Sequence, residues 1–250
     1  MRMKLLSCAL VAALVSCSSE PVEDDEAMGG GSGSTSTGGT DSVDPTPSAC
    51  SAALKQSLSL VDEVSTAAVS VLSENGDDRV LYVDASLGGL NEQDSQPWVY
   101  VKLATGEGIA VTDLAALTSK GWDLAFKRSV VRTNSGDSGP GLGGAIRIAL
   151  PWDAVDSSTL GNKALPIESW FDADCMLERD ASQNIITTFS GWSAYDEAEH
   201  VLSAAPDVVF ITGAADGSLF KVSLLDYYST PTGTHGSVSG RYKVRVAPLP

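Results

Sequence analysis

Apolar and polar residues alternate with period two over most of the C-terminal two thirds of the chain. The runs "RVLYVDAS" (79–86), "PWVYVKLATGEGIAVTD" (97–113) and "GWDLAFKRSVVRTN" (121–134) are rich in Val, Tyr, Phe and Trp and are broken by Gly, Asn and Asp, which predicts strands. Inside the second, "ATGEG" predicts a hairpin turn. "DVVFITGAADGSLFKVSLLDYY" (207–228) reads as two strands around "GAADGS". The last run, "SVSGRYKVRVAP", sets Val238, Gly240, Tyr242, Val244 and Val246 against Ser239, Arg241, Lys243 and Arg245, one buried face and one wet face. The basic side of that strand reads as a solvated outer face before it reads as an anion site.

Helical spacing is rare. Leu54, Leu58, Val61 and Val64 recur at helical intervals after Cys50, and "TDLAALTSK" (112–120) predicts one short helix capped by Thr112 or Asp113. No internal repeat is visible. About 200 residues patterned this way form one all-β domain, a sandwich-like or barrel-like antiparallel fold with few short helices.

The N-terminus is of another kind. "MRMKLLSCALVAALVSCSSE" places Arg2 and Lys4 before an apolar run from Leu5 to Val15, too short for a mature membrane span, and predicts an export signal. The run closes on Leu14-Val15-Ser16-Cys17, which resembles the lipobox of bacterial lipoproteins and implies that residues 1–17 are a signal peptide ending in a lipidated Cys17. Acylated there, the mature chain is anchored to a membrane and does not span it. Ser18 in the following place implies, by the rule for such lipoproteins, sorting to the outer membrane.

Residues 18–49 hold seven acidic side chains, no basic ones and long Gly/Ser stretches. Such a segment buries too little surface to offset the entropy of ordering, and predicts a flexible tether of roughly 30 Å average span. With this tether, Arg2 and Lys4 set aside, the domain of residues 50–250 keeps 25 acidic and 14 basic residues. That balance argues against nucleic acid or anionic lipid as a surface-charge partner. Cys50 and Cys175 are the cysteines left after export, and an oxidising compartment permits their disulfide, although spacing alone leaves the pairing open.

"RTNSGDSGPGLGG" (132–144) contains GDSGP, close to a serine-protease nucleophile run, and GxGxxG, a dinucleotide spacing. The chain has two histidines, His200 and His235, both after Ser138, and Pro140 stands where a nucleophile elbow needs glycine, so no catalytic serine is assembled. The glycines run into "AIRIAL", a strand, where the dinucleotide fingerprint requires a helix. "DADC" (172–175) and "ADGS" (215–218) are read as turn chemistry, not calcium loops. No nucleophile with its base and no metal cluster can be put together, which argues against an enzyme.

Taken together, "LYVDAS", "WVYVKLATGEGIAVTD", "GWDLAFKRSVVRTNSGDSGPGLGGA" and "VFITGAADGSLFKVSLLDYY" resemble, in order and spacing, the HmuY family of haem-binding lipoproteins. The most specific match is WD-L-A-F-x-R followed by R-x-N-S-G-x-S-G-x-G-x-G-G-A. The resemblance implies a lipid-anchored all-β carrier that holds haem or a porphyrin between loops and passes it on for uptake, with an outer-membrane receptor as partner. It further implies two axial ligands, histidines in one branch of the family, from the segments that here read "SWFDADCMLERD" (169–180) and "GWSAYDEAEH" (191–200). Met176 replaces a histidine in the first. His200 falls a few residues late in the second, with Tyr195 and Glu197 nearer the family position. Met176 and His200 are therefore the expected haem-iron ligands, with Trp170, Phe171 and Trp192 lining an apolar slot. The alternative from the same resemblance is a surface lipoprotein of this fold that no longer ligates haem and binds a protein or another small ligand.

Overall fold

The computed structural model describes residues 50–180 and 185–250. The signal peptide, Cys17 and the tether lie outside the described residues.

A short helix α1 (Ser51–Ser57) opens the domain, followed by strands β1 (Val69–Asn75) and β2 (Asp78–Asp84). β3 (Val99–Lys102) turns through Gly106 into the two-residue β4 (Glu107–Gly108). A single-turn helix α2 (Asp113–Ala116) follows, its N-terminus capped by the Thr112 hydroxyl, which accepts from the Ala115 N–H. Next come β5 (Leu124–Lys127), β6 (Val130–Thr133) and β7 (Gly144–Ile148). The chain ends with β8 (Ser193–Asp196), β9 (Val201–Ala204), β10 (Val209–Gly213), β11 (Leu219–Asp226) and β12 (Arg241–Pro248).

The strands form an antiparallel six-stranded sheet in the order β1-β2-β12-β11-β10-β7, a four-stranded sheet β4-β3-β5-β6, and a separate hairpin β8-β9. The two larger sheets face each other across one core: Leu81 and Val83 of β2, Phe210 of β10, Val222 of β11 and Val244 and Val246 of β12 meet Val99, Leu124, Phe126 and Val131 of the smaller sheet. The domain is thus an all-β sandwich; neither sheet closes into a barrel. The outer face of the smaller sheet is covered in turn. Tyr100 and Ala125 pack with Trp98, Trp122 and Trp170 beneath Leu54 and Leu58 of α1 and Ala116 of α2. Cys50 and Cys175 are disulfide-bonded and tie the start of α1 to the segment that carries Trp170.

Several sequence expectations change here. α1 ends at Ser57; Val61 lies past it and Val64 forms an isolated bridge with Thr112, so neither extends the helix. The run 121–134 is not one strand but a hairpin folded at Arg128 and Ser129, with Lys127 opposite Val130. Arg128 takes the left-handed φ of 50° that a side chain seldom adopts, and its guanidinium holds it there by donating to the carbonyls of Ser86 and Ser239 at 3.0 and 2.9 Å. In the last run the buried face begins at Gly240, because Val238 precedes the strand and is exposed. The basic face of β12 is ion-paired: Arg245 Nη2 lies 2.6 Å from Asp78 Oδ2 and Arg241 Nε 3.1 Å from Asp84 Oδ2.

Candidate functional site

The glycine-rich stretch explains itself first. Asn134 at the end of β6 donates from Nδ2 to the carbonyls of Ser119 and Trp122 and accepts from the Gly141 N–H, and its carbonyl accepts from the Gly143 N–H. A Cβ on Gly141 or Gly143 would sit 2.6 Å from the Asn134 carbonyl oxygen. The run is a backbone wrap around one asparagine that leads into β7. Ser138 is buried, and its hydroxyl accepts from Arg132 Nη1 at 2.7 Å, so it is a structural acceptor and no nucleophile. Asp123 of the Trp-Asp pair is equally structural: it accepts from the Leu103 and Ala215 N–H groups and from Lys102 Nζ. Asp172 and Asp216 each accept from backbone N–H groups of their own turns. Among the described residues no group of three or more His, Cys, Asp or Glu side chains could hold a metal ion.

A cleft of about 550 Å³ opens beside the β5–β6 turn. Its lining includes the end of α1 with Leu58 and Ser59, the β5–β6 turn with Lys127, Arg128 and Ser129, and the stretch from Gly191 to Tyr195 that enters β8. Trp192 is 5% exposed and forms an aromatic wall. Its ring packs at 5.5 Å on Tyr227 and 5.4 Å on Tyr242, and its Nε1 donates to the Ser129 carbonyl at 3.1 Å. Lys127 donates from Nζ to the carbonyls of Ser59 and Gln96, which pins α1 to the turn. Burial holds its pKa below the ordinary lysine value, against the opposing pull of Asp113 and Asp94. Arg128 Nε is buried without a hydrogen-bond partner among the described residues. Tyr227 also lines the cleft; burial raises its pKa above the usual phenol value.

The rim belongs to the β8–β9 hairpin. Asp196 caps its four-residue turn by accepting from the N–H groups of Ala198 and Glu199. His200 closes the turn in a left-handed conformation, φ 57°, and this brings its Nδ1 to 3.0 Å from the Tyr195 hydroxyl. The Tyr228 hydroxyl accepts from the Leu202 N–H at 3.3 Å and ties the hairpin to the segment that follows β11.

Of the residues expected to ligate iron, neither lines the cleft. Met176 is 66% exposed, in the turn beside the disulfide, where its N–H donates to Asp172 Oδ1. His200 reaches the rim through Tyr195, which does line it. Trp192 lies in the wall as expected, whereas Trp170 is buried in the second core, its Nε1 donating to Glu168, and Phe171 packs against that core. Sequence reasoning missed Lys127 and Arg128, since nothing in "FKRSVV" marks a turn; the left-handed Arg128 carries no Gly or Asn signal. The other histidine, His235, pairs with Asp226 at 3.0 Å beside a second depression of about 440 Å³.

The family model described as HmuY protein matches residues 94–242, more than half of the chain. The chain belongs to the HmuY family. That span takes in the whole of the smaller sheet, the Asn134 wrap, the cleft wall and the β8–β9 hairpin. The HmuY family is one of carriers and not of enzymes, in keeping with Ser138 and the glycine run being structural. Solved structures similar to this chain include a candidate HmuY-like haem-binding protein of Bacteroides vulgatus, at 18% identity and TM-score 0.39, covering 68% of this chain and 91% of that one. A candidate lipoprotein of Bacteroides fragilis is 16% identical with TM-score 0.38, covering 70% and 91%. The apo form of an HmuY analogue from Tannerella forsythia is 16% identical with TM-score 0.40, covering 76% and 100%. No curated protein matches the chain.

Proposed function

We propose that this HmuY-family chain is an exported lipoprotein, anchored through Cys17 to the outer membrane, that binds haem or a related porphyrin and passes it to an outer-membrane receptor for uptake. The observation that carries the reading is the cleft itself. Its volume of about 550 Å³ is in the range of small-molecule sites. The Gly191-Trp192 segment, where the family resemblance puts a ligand, forms its wall. The aromatic faces of Trp192 and Tyr227 support the reading of a flat apolar ring as cargo, and Lys127 and Arg128 in the lining supply positive charge that suits propionates.

Met176 and His200 stay as proposed ligands on this reading only if their segments turn towards the cleft, because both side chains now lie outside its lining. That placement is also what favours the second reading, a lipoprotein of the same fold carrying another cargo. Titration of ferric haemin into the full-length chain in mild detergent separates the two. A saturable one-to-one complex with a defined Soret band is expected. Binding no better than to a detergent blank would overturn the haem reading and leave the second.

A further inference from the structure

Two tyrosines line the cleft, and the structure treats them oppositely. Tyr227 is 5% exposed, enclosed by Trp192, Tyr228 and Tyr242, and burial disfavours its phenolate. Tyr195 is 56% exposed, on the rim, and its hydroxyl has one polar partner described, the His200 Nδ1 at 3.0 Å. Among the conventional iron-ligating side chains, His, Met, Tyr and thiolate, these two tyrosines are the ones present in the lining.

The pairing is built into the hairpin. Tyr195 and Leu202 are directly opposed across β8 and β9, and the Asp196-capped turn ends in the left-handed His200, which brings the imidazole back to the Tyr195 hydroxyl, the rings tilted at 45° with centroids 6.4 Å apart. With its proton on Nε2, an imidazole in this place accepts a hydrogen bond from the phenol at Nδ1.

We infer that Tyr195, oriented and hydrogen-bonded by His200, is the axial ligand the cleft offers to the iron of a ferric tetrapyrrole. This rests on the haem reading above. On binding, the Tyr195 oxygen would bond to the iron and release its proton to solvent, with His200 holding the phenol in place by the 3.0 Å hydrogen bond; no oxidant or reductant is involved. His200 is then a positioning residue rather than a ligand, and Met176, 66% exposed in the disulfide turn, takes no part. An anionic oxygen ligand favours ferric over ferrous iron, so the site is specific for oxidised haem.

The test is haemin titration of the full-length chain in detergent with resonance Raman and absorption spectra, on wild type and on the variants Tyr195→Phe, His200→Ala, His200→Gln and Met176→Ala. Iron-free protoporphyrin serves as a second probe. Wild type is expected to show the tyrosinate vibrations of an iron–phenolate bond. Tyr195→Phe is expected to lose them, with at least a tenfold loss of haemin affinity and less than a twofold change for protoporphyrin. His200→Ala keeps the tyrosinate signature with a severalfold weaker affinity, which His200→Gln partly restores, and Met176→Ala keeps the tyrosinate vibrations. Wild-type spectra and affinity retained in Tyr195→Phe, or a low-spin spectrum abolished by His200→Ala or Met176→Ala, overturn the inference and leave the haem reading standing. Absence of saturable haemin binding to wild type overturns both.

Discussion

The Gly141 N–H donates to Asn134 Oδ1 at 3.0 Å, and this bond makes a glycine run that mimics two catalytic motifs into a wrapped loop. Asn134 is fully buried, and each of its amide groups is engaged. Replacement of Gly141 or Gly143 by alanine drives a methyl group to 2.6 Å from the Asn134 carbonyl. Each substitution is expected to cost about 1–3 kcal/mol in urea denaturation. Gly76→Ala, where nothing lies within 4 Å and only the left-handed backbone resists, is expected to cost about 1 kcal/mol. Equal costs at the three positions would refute the wrap.

Arg132 lies among Trp98, Trp122 and Tyr100, its guanidinium carbon 4.5 Å from the Trp98 ring, and donates to the Ser138 hydroxyl and the Tyr100 hydroxyl. Ser138→Ala removes one acceptor from a buried cation. A loss of about 1–3 kcal/mol in thermal or chemical denaturation is expected, where a surface serine would lose almost nothing.

The Cys50–Cys175 bond spans 125 residues. A cross-link over so long a loop is worth about 2–5 kcal/mol. Paired replacement by serine should lower stability by that amount, and hydrogen exchange should quicken first in α1, whose Leu54 and Leu58 rest on Trp98 and Trp122. Uniform loosening of both sheets would argue against a local clasp.

Glu168 accepts from the Thr133 and Thr188 N–H groups and from Trp170 Nε1, yet burial outweighs these bonds and raises its pKa above the ordinary 4.5. The folded chain therefore holds this proton to higher pH than the unfolded one. Its contribution to stability is complete below the unfolded pKa and is lost as pH rises through the folded pKa. Melting temperatures of wild type and Glu168→Gln followed upward from about pH 4 should show the wild-type advantage shrinking across that window. A difference independent of pH would contradict it.

Trp192 supplies the cleft wall, and Trp192→Phe keeps an aromatic face while losing ring area and the Ser129 hydrogen bond. Haemin affinity should fall by about tenfold, the equivalent of ~1.4 kcal/mol, with circular dichroism unchanged.

Alternation of apolar and polar residues was enough to place β2, β3, β5, β10, β11 and β12 and to identify an all-β chain, because a strand with one face in a core must repeat every second residue. The blocks around Trp122–Arg128 and Arg132–Ala145 were enough to indicate the family, since Trp122, Arg132, Asn134, Ser138 and Gly141 there answer to nearby hydrogen-bond demands. β1 was not legible: its exposed edge leaves "VSVLSEN" without a clear apolar face. The hairpin at Arg128 was not legible either, because its left-handed residue is held by carbonyls of Ser86 and Ser239, 42 and 111 positions away. The cleft has the same character. Lys127, Trp192, Tyr195 and Tyr227 come from three separate stretches, and only the packing of two sheets and a hairpin sets them around one space. Local pattern records what each residue asks of its neighbours along the chain, whereas a binding site is made of distances between residues that share no local rule.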